Sequence, residues 1–194
     1  YRLVSDAAYE NRELFVDILL GVDDVRLDYV YIILDAISSR YSNKECRIES
    51  TPNKILEAHK LYFDMNNSKS IKALINFAQN YEIDDEWLIM TLLSLSNQSE
   101  NEEEQYLNED KFDSAWQSHF SAVQSGAILA LSKYISFIGQ KTTWFDELFI
   151  LCNNSSDLKV VISGVDLVYA LCTFDLETGI QYFVKLLDNN PEIL

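Results

Sequence analysis

The chain has 194 residues, with 31 acidic against 15 basic, a net charge of −16 and an apolar fraction of 48%. That is globular composition and long enough for one substantial core or a short array of helix pairs; it argues against wholesale disorder. So negative a surface repels phosphate backbones, which excludes nucleic acid as a partner and favours a basic protein. Five Gly and two Pro leave little turn chemistry for a sheet fold, so long helices with short connections are expected.

In chain order, "SDAAYENRELFVDILLG" reads as one helix capped by Ser5 or Asp6 and stopped at Gly21, with Leu14, Ile18 and Phe15, Leu19 at i,i+4 spacing. "DDVRLDYVYIILDAISSRY" follows with Leu27, Val30, Leu34 and Ile37 on one stripe, after the acidic pair Asp23-Asp24. Residues 41–51 are polar and irregular. Thr51-Pro52 then launches a helix with Ile55, His59 and Tyr62 near one face. "SKSIKALINFAQNY" buries Ile71, Leu74, Ile75 and Ala78. "EWLIMTLLSLS", after Asp84-Asp85, is apolar enough to be buried on more than one side.

Residues 97–112 hold six acids, Glu100, Glu102, Glu103, Glu104, Glu109 and Asp110, with no basic residue between them. Without apolar periodicity this stretch is expected to be a mobile loop or a frayed helix start, and its acids are the candidate partner-binding residues. "DSAWQSHFSAVQSGAILALSKYISFIG" then reads as one long or kinked helix ending at Gly139. Three further helical stretches follow, each behind a Ser, Thr or Asp cap.

The second half repeats itself. Val123, Ser125, Gly126, Ala127 and Leu129 return as Val161, Ser163, Gly164, Val165 and Leu167 at an offset of 38. The following helices align at 36, which brings "CNN" (152–154) onto "DNN" (188–190). A unit of 36–38 residues made of two helices belongs to the helical repeat class. The Asn pairs fit helix ends because Asn tolerates the left-handed conformation. Glycine inside a helix costs about 1 kcal/mol relative to Ala, so Gly126 and Gly164 point to a neighbouring helix too close for a side chain. The expected fold is all-α: antiparallel helix pairs stacked as a short HEAT-like α-solenoid. The expected divisions are a helical region at 1–96, the acidic loop at 97–112 and repeats at 113–194, or one continuous domain.

Residues 84–194, and above all "SAVQSGAILALSKYISFIG" with the later "SSDLKVVISGVDLVYALC", resemble the HEAT-like C-terminal arrays of bacterial signal-transduction NTPases of the STAND type, a class that includes antiphage sensors. Such arrays carry a Val-x-x-Gly-Ala phrase and a turn ahead of the next helix, here Ser156, Asp157 and Lys159-Val160. The chain departs from them in having Ser125 where an Arg often precedes the first Gly, and in lacking a basic residue after Val160. The resemblance implies a sensor or scaffold arm that reads a protein, belonging to a longer chain whose ATPase lies upstream. The alternative is an acidic helical immunity protein that neutralises a basic nuclease toxin.

Catalysis is not expected. His59 lies on an apolar helix face, His119 lies between Trp116 and Phe120, and neither belongs to a metal-binding pattern. Cys152 and Cys172 sit in apolar helical stretches, Cys46 stands apart, and no CxxC occurs, which fits a reducing cytoplasm. No phosphate-cradling glycine motif is present. No cofactor, metal, small-molecule ligand or membrane partner is expected.

Overall fold

The computed structural model describes residues 1–22, 25–39, 51–98 and 122–193. The described residues form ten α-helices and a closing 3-10 turn at Pro191–Ile193, with no strand among them. None of these helices is long and apolar enough to cross a membrane. The chain divides into two compact units, Tyr1–Ile83 and Asp84–Leu194.

The first unit contains α1 (Arg2–Glu10), α2 (Arg12–Gly21), α3 (Leu27–Ser38), α4 (Thr51–Tyr62) and α5 (Ser68–Asn80). Helices two apart in sequence lie side by side: α1 packs on α3, α3 on α5, and α2 on α4. The expected single helix over α1 and α2 is broken. It starts at Arg2 and interrupts at Asn11, whose φ of −126° and ψ of 51° leave the helical region. Asn11 Nδ2 donates to Ala7 O at 3.1 Å, beside its own backbone N–H on the same carbonyl at 3.0 Å. The break shifts the buried register to Arg12, Val16 and Leu19, leaving Leu14 exposed. In α3 the stripe Val30, Leu34, Ile37 is buried as expected, while Leu27 is exposed. In α5 all four expected core positions are buried, and Asn67 caps the helix by accepting from Lys69 N and Ser70 N.

The second unit contains α6 (Glu86–Ser96), α7 (Val123–Ile138), α8 (Phe145–Asn153), α9 (Leu158–Cys172) and α10 (Leu176–Asn189). Residues 84–96, grouped by sequence with the N-terminal region, pack in this unit, because α6 lies against α7. Here α7 also packs on α9, and α9 on both α8 and α10. Helix α6 buries Leu88, Leu92 and Leu95 on one side and exposes Met90, so it is amphipathic rather than enclosed. Of the long or kinked helix expected from residue 113, residues 113–121 lie outside the described residues. Ala122 is extended (φ −71°, ψ 148°) and α7 begins at Val123. It ends as expected at Gly139, in the left-handed conformation at φ 64°.

Candidate functional site

Glu100, Glu102, Glu103, Glu104, Glu109 and Asp110 lie outside the described residues, as do Cys46, His119 and the pair Asp23-Asp24. The described part of the second unit shows how the echoed phrases meet. Ser163 Oγ donates to Ser125 O at 3.2 Å across 38 residues, and also to Lys159 O at 3.0 Å. Both serines are buried. A Cβ on Gly164 would stand 2.9 Å from Cys152 Cβ and 3.4 Å from Leu186 Cδ1. The glycine is therefore where α8 and α10 close on α9, and a side chain there has no room. Gly126, its counterpart, is buried. A second close approach was not read from sequence: a Cβ on Gly179 would fall 3.1 Å from the Cys172 backbone.

The Asn-Asn turns work differently from expectation. Asn154 (φ −106°, ψ 4°) and Asn190 (φ −134°, ψ 66°) are not left-handed. Asn190 is buried, and its Nδ2 instead donates to Leu186 O at 3.0 Å and to Asn153 O at 3.1 Å, 37 residues away. Its amide satisfies a free carbonyl at the end of α8, which is one of the helix-end groups that need a partner.

A third tie sits nearer the surface. Lys141 Nζ lies 2.7 and 2.9 Å from the Asp146 carboxylate oxygens and 2.8 Å from Tyr182 Oη, while the Tyr182 hydroxyl donates to Asp146. The Tyr182 ring meets Phe145 and Phe149 edge-on, at 5.2 and 4.7 Å between centroids. Bonds from Lys141 and Tyr182 hold the Asp146 carboxyl below its usual range.

Groups with catalytic chemistry are packed as core. Ser38 Oγ and His59 Nε2 are 2.9 Å apart, a spacing nucleophilic enzymes also use. Both are buried, however, and the imidazole lies tilted against the Phe77 ring at 5.2 Å between centroids. Burial lowers the His59 pKa to about 3, so the ring is neutral at ordinary pH. Burial likewise pushes the Cys152 thiol up, away from the reactive thiolate. Among the described residues no group of His, Cys, Asp and Glu could hold a metal ion.

The largest fully buried side chain among the described residues was invisible in the sequence. Arg12 enters the core, where Nη1 donates to Ile37 O at 3.1 Å and Tyr81 Oη at 2.7 Å, and also to Ser39 O. A cation at the carboxyl end of α3 complements the helix dipole there. The tyrosines divide in two. Tyr62 and Tyr81 donate to the carbonyls of Leu19 and Ile37, while Tyr1 and Tyr169 are exposed. Tyr134 donates to Asp84 at 2.7 Å, and burial with that carboxylate raises its pKa to about 12.

No protein-family model, curated protein or solved structure matches the chain.

Proposed function

We propose that the protein is a non-catalytic protein–protein interaction module, a short HEAT-like α-solenoid of stacked antiparallel helix pairs, acting in the cytoplasm as a sensor or scaffold arm of a bacterial defence protein. The observation that carries this reading is the set of side-chain ties spanning one repeat period. Ser163 to Ser125 spans 38 residues, Asn190 to Asn153 spans 37 and Tyr182 to Asp146 spans 36. Side-chain bonds recurring at about one period are what stacked units make, and such stacks present extended surfaces to other proteins. The net charge of −16 favours a basic partner and speeds its approach.

The same charge favours one other reading, an immunity protein that covers a basic toxin. Affinity capture from native bacterial lysate, with and without phage infection, separates the two. Capture of a phage structural or packaging protein only after infection supports the sensor arm. Capture of a basic nuclease in both lysates supports immunity, and capture of nothing contradicts both. Neutralising Glu100, Glu102, Glu103, Glu104, Glu109 and Asp110 to their amides weakens capture most at low salt. Unchanged affinity at low salt would remove the acidic stretch from the binding surface.

A further inference from the structure

Most exposed apolar residues of the second unit are single: Met90 on α6, Phe137 on α7, Ile150 on α8 and Tyr169 on α9. Isolated exposure of this kind is ordinary. Helix α10 is different. Leu176 (63% exposed), Ile180 (52%), Phe183 (39%) and Val184 (50%) fall at i, i+4, i+7 and i+8, one continuous stripe along the helix. The helix packs inward through Gly179 and Leu186 and through the Tyr182 ring, so the stripe is additional to the face that holds α10 in place.

The repeat supplies a second observation. Val184 occupies the position of Leu148 at the 36-residue offset, and Leu148 is 4% exposed. A site that one unit covers is left uncovered in the next. The chemistry along the stripe's edge is acidic: Glu177 and Asp188 are exposed, eleven residues apart and 20° apart on a helical wheel at 100° per residue. The single basic residue of α10, Lys185, lies farther round, over the Tyr182 ring at 5.2 Å.

We infer that the exposed stripe of α10 is a docking surface for a basic amphipathic helix of a partner protein. Its apolar positions would seat on Leu176, Ile180, Phe183 and Val184, with its Lys or Arg flank against Glu177 and Asp188. Apolar seating would supply the affinity, while the acidic edge would set orientation and select against acidic helices. This inference rests on the proposed basic protein partner and adds where that partner binds.

The test uses the full chain and three 18-residue probe peptides: one with Leu at three-four spacing and a Lys flank, its scrambled isomer, and a version with Glu in place of each Lys. The expected result is saturable binding of the first alone, with amide shifts centred on α10. An Ile180→Ser/Val184→Ser variant should weaken it at least roughly tenfold, since exposed apolar contact is removed without touching the core. Glu177→Lys/Asp188→Lys should weaken it several-fold, less so in high salt. Equal binding of the scrambled peptide, shifts confined to other helices, or full affinity in the Ser variant would each overturn the proposal. Concentration-dependent dimerisation abolished by the same Ser variant would also overturn it, by giving the stripe to a second copy. Lysate capture distinguishes the two levels. A basic partner captured equally by wild type and Ser variant sinks this surface and leaves the module reading. Peptide binding without any captured partner sinks the module reading alone.

Discussion

The hydroxyl of Ser163 donates to the carbonyl of Ser125, so the same serine of two echoed phrases joins α9 to α7. The neighbouring Gly164 lets α8 and α10 close against α9. A Gly164→Ala substitution gains about 1 kcal/mol of helix propensity. It also places a methyl group 2.9 Å from Cys152 Cβ, which is not a flexible side-chain end. Overpacking costs about 1–3 kcal/mol, so net destabilisation is expected in urea denaturation. Gly21→Ala is the control, because nothing lies within 4 Å of its added Cβ. It should be neutral or slightly stabilising.

Removing Arg12 should be costly. Arg12→Ala leaves the buried carbonyls of Ile37 and the hydroxyl of Tyr81 without this donor and opens a cavity. A loss of about 3 kcal/mol or more is expected from thermal or chemical unfolding. Arg12→Lys should recover only part of it, since an ammonium cannot reproduce the guanidinium fork.

His59 gives the protein an acid-side weakness. Its folded pKa of about 3 lies below the ordinary value of 6.5, because burial opposes the charged ring. The unfolded chain therefore binds the extra proton first. Stability from this group is complete above pH 6.5 and is lost as pH falls from 6.5 toward 3, with a slope approaching about 1.4 kcal/mol per pH unit. A His59→Gln variant should show a flatter profile between pH 6.5 and 5, above the range where carboxylates titrate. A profile identical to wild type would mean that the imidazole charges freely in the folded state.

The Asn190 and Tyr182 ties should be separable. Asn190→Ala removes a buried amide that serves two carbonyls and should cost about 1–2 kcal/mol. Tyr182→Phe keeps the ring on Phe145 and Phe149 and loses only partly exposed hydroxyl bonds, so about 1 kcal/mol or less is expected. Calorimetry of both variants checks the order.

What the sequence revealed follows from what periodicity encodes. The core of α5, the glycine approach at Gly164 and the end of α7 at Gly139 were legible, because each depends on local spacing or on a residue with a single conformational use. Asp85, Asp157 and Asp175 cap their helices as carboxylates at such places do. The break at Asn11 was not legible, because its neighbours are good helix formers and nothing in their spacing marks a stop. Arg12 carries no sequence signal of burial, because its place in the core depends on carbonyls 25 and 27 residues away. The Asn-Asn pairs were located by sequence but misread in role, since the bond from Asn190 to Asn153 exists only once the ends of α8 and α10 are brought together. The exposed stripe on α10 was not singled out by sequence, because apolar spacing alone does not say whether a neighbour is present.

The central claim is that residues 123–160 form a repeat that stacks on its successor. The most direct measurement is circular dichroism with urea denaturation of a chain carrying a second copy of residues 123–160 inserted after Val160. Stacked units predict helical signal rising in proportion to the added residues, one cooperative transition and a steeper denaturant dependence from the larger buried surface. An insert that adds no helix and is removed by limited proteolysis would contradict the repeat, and with it the reading of the protein as a stacked interaction module.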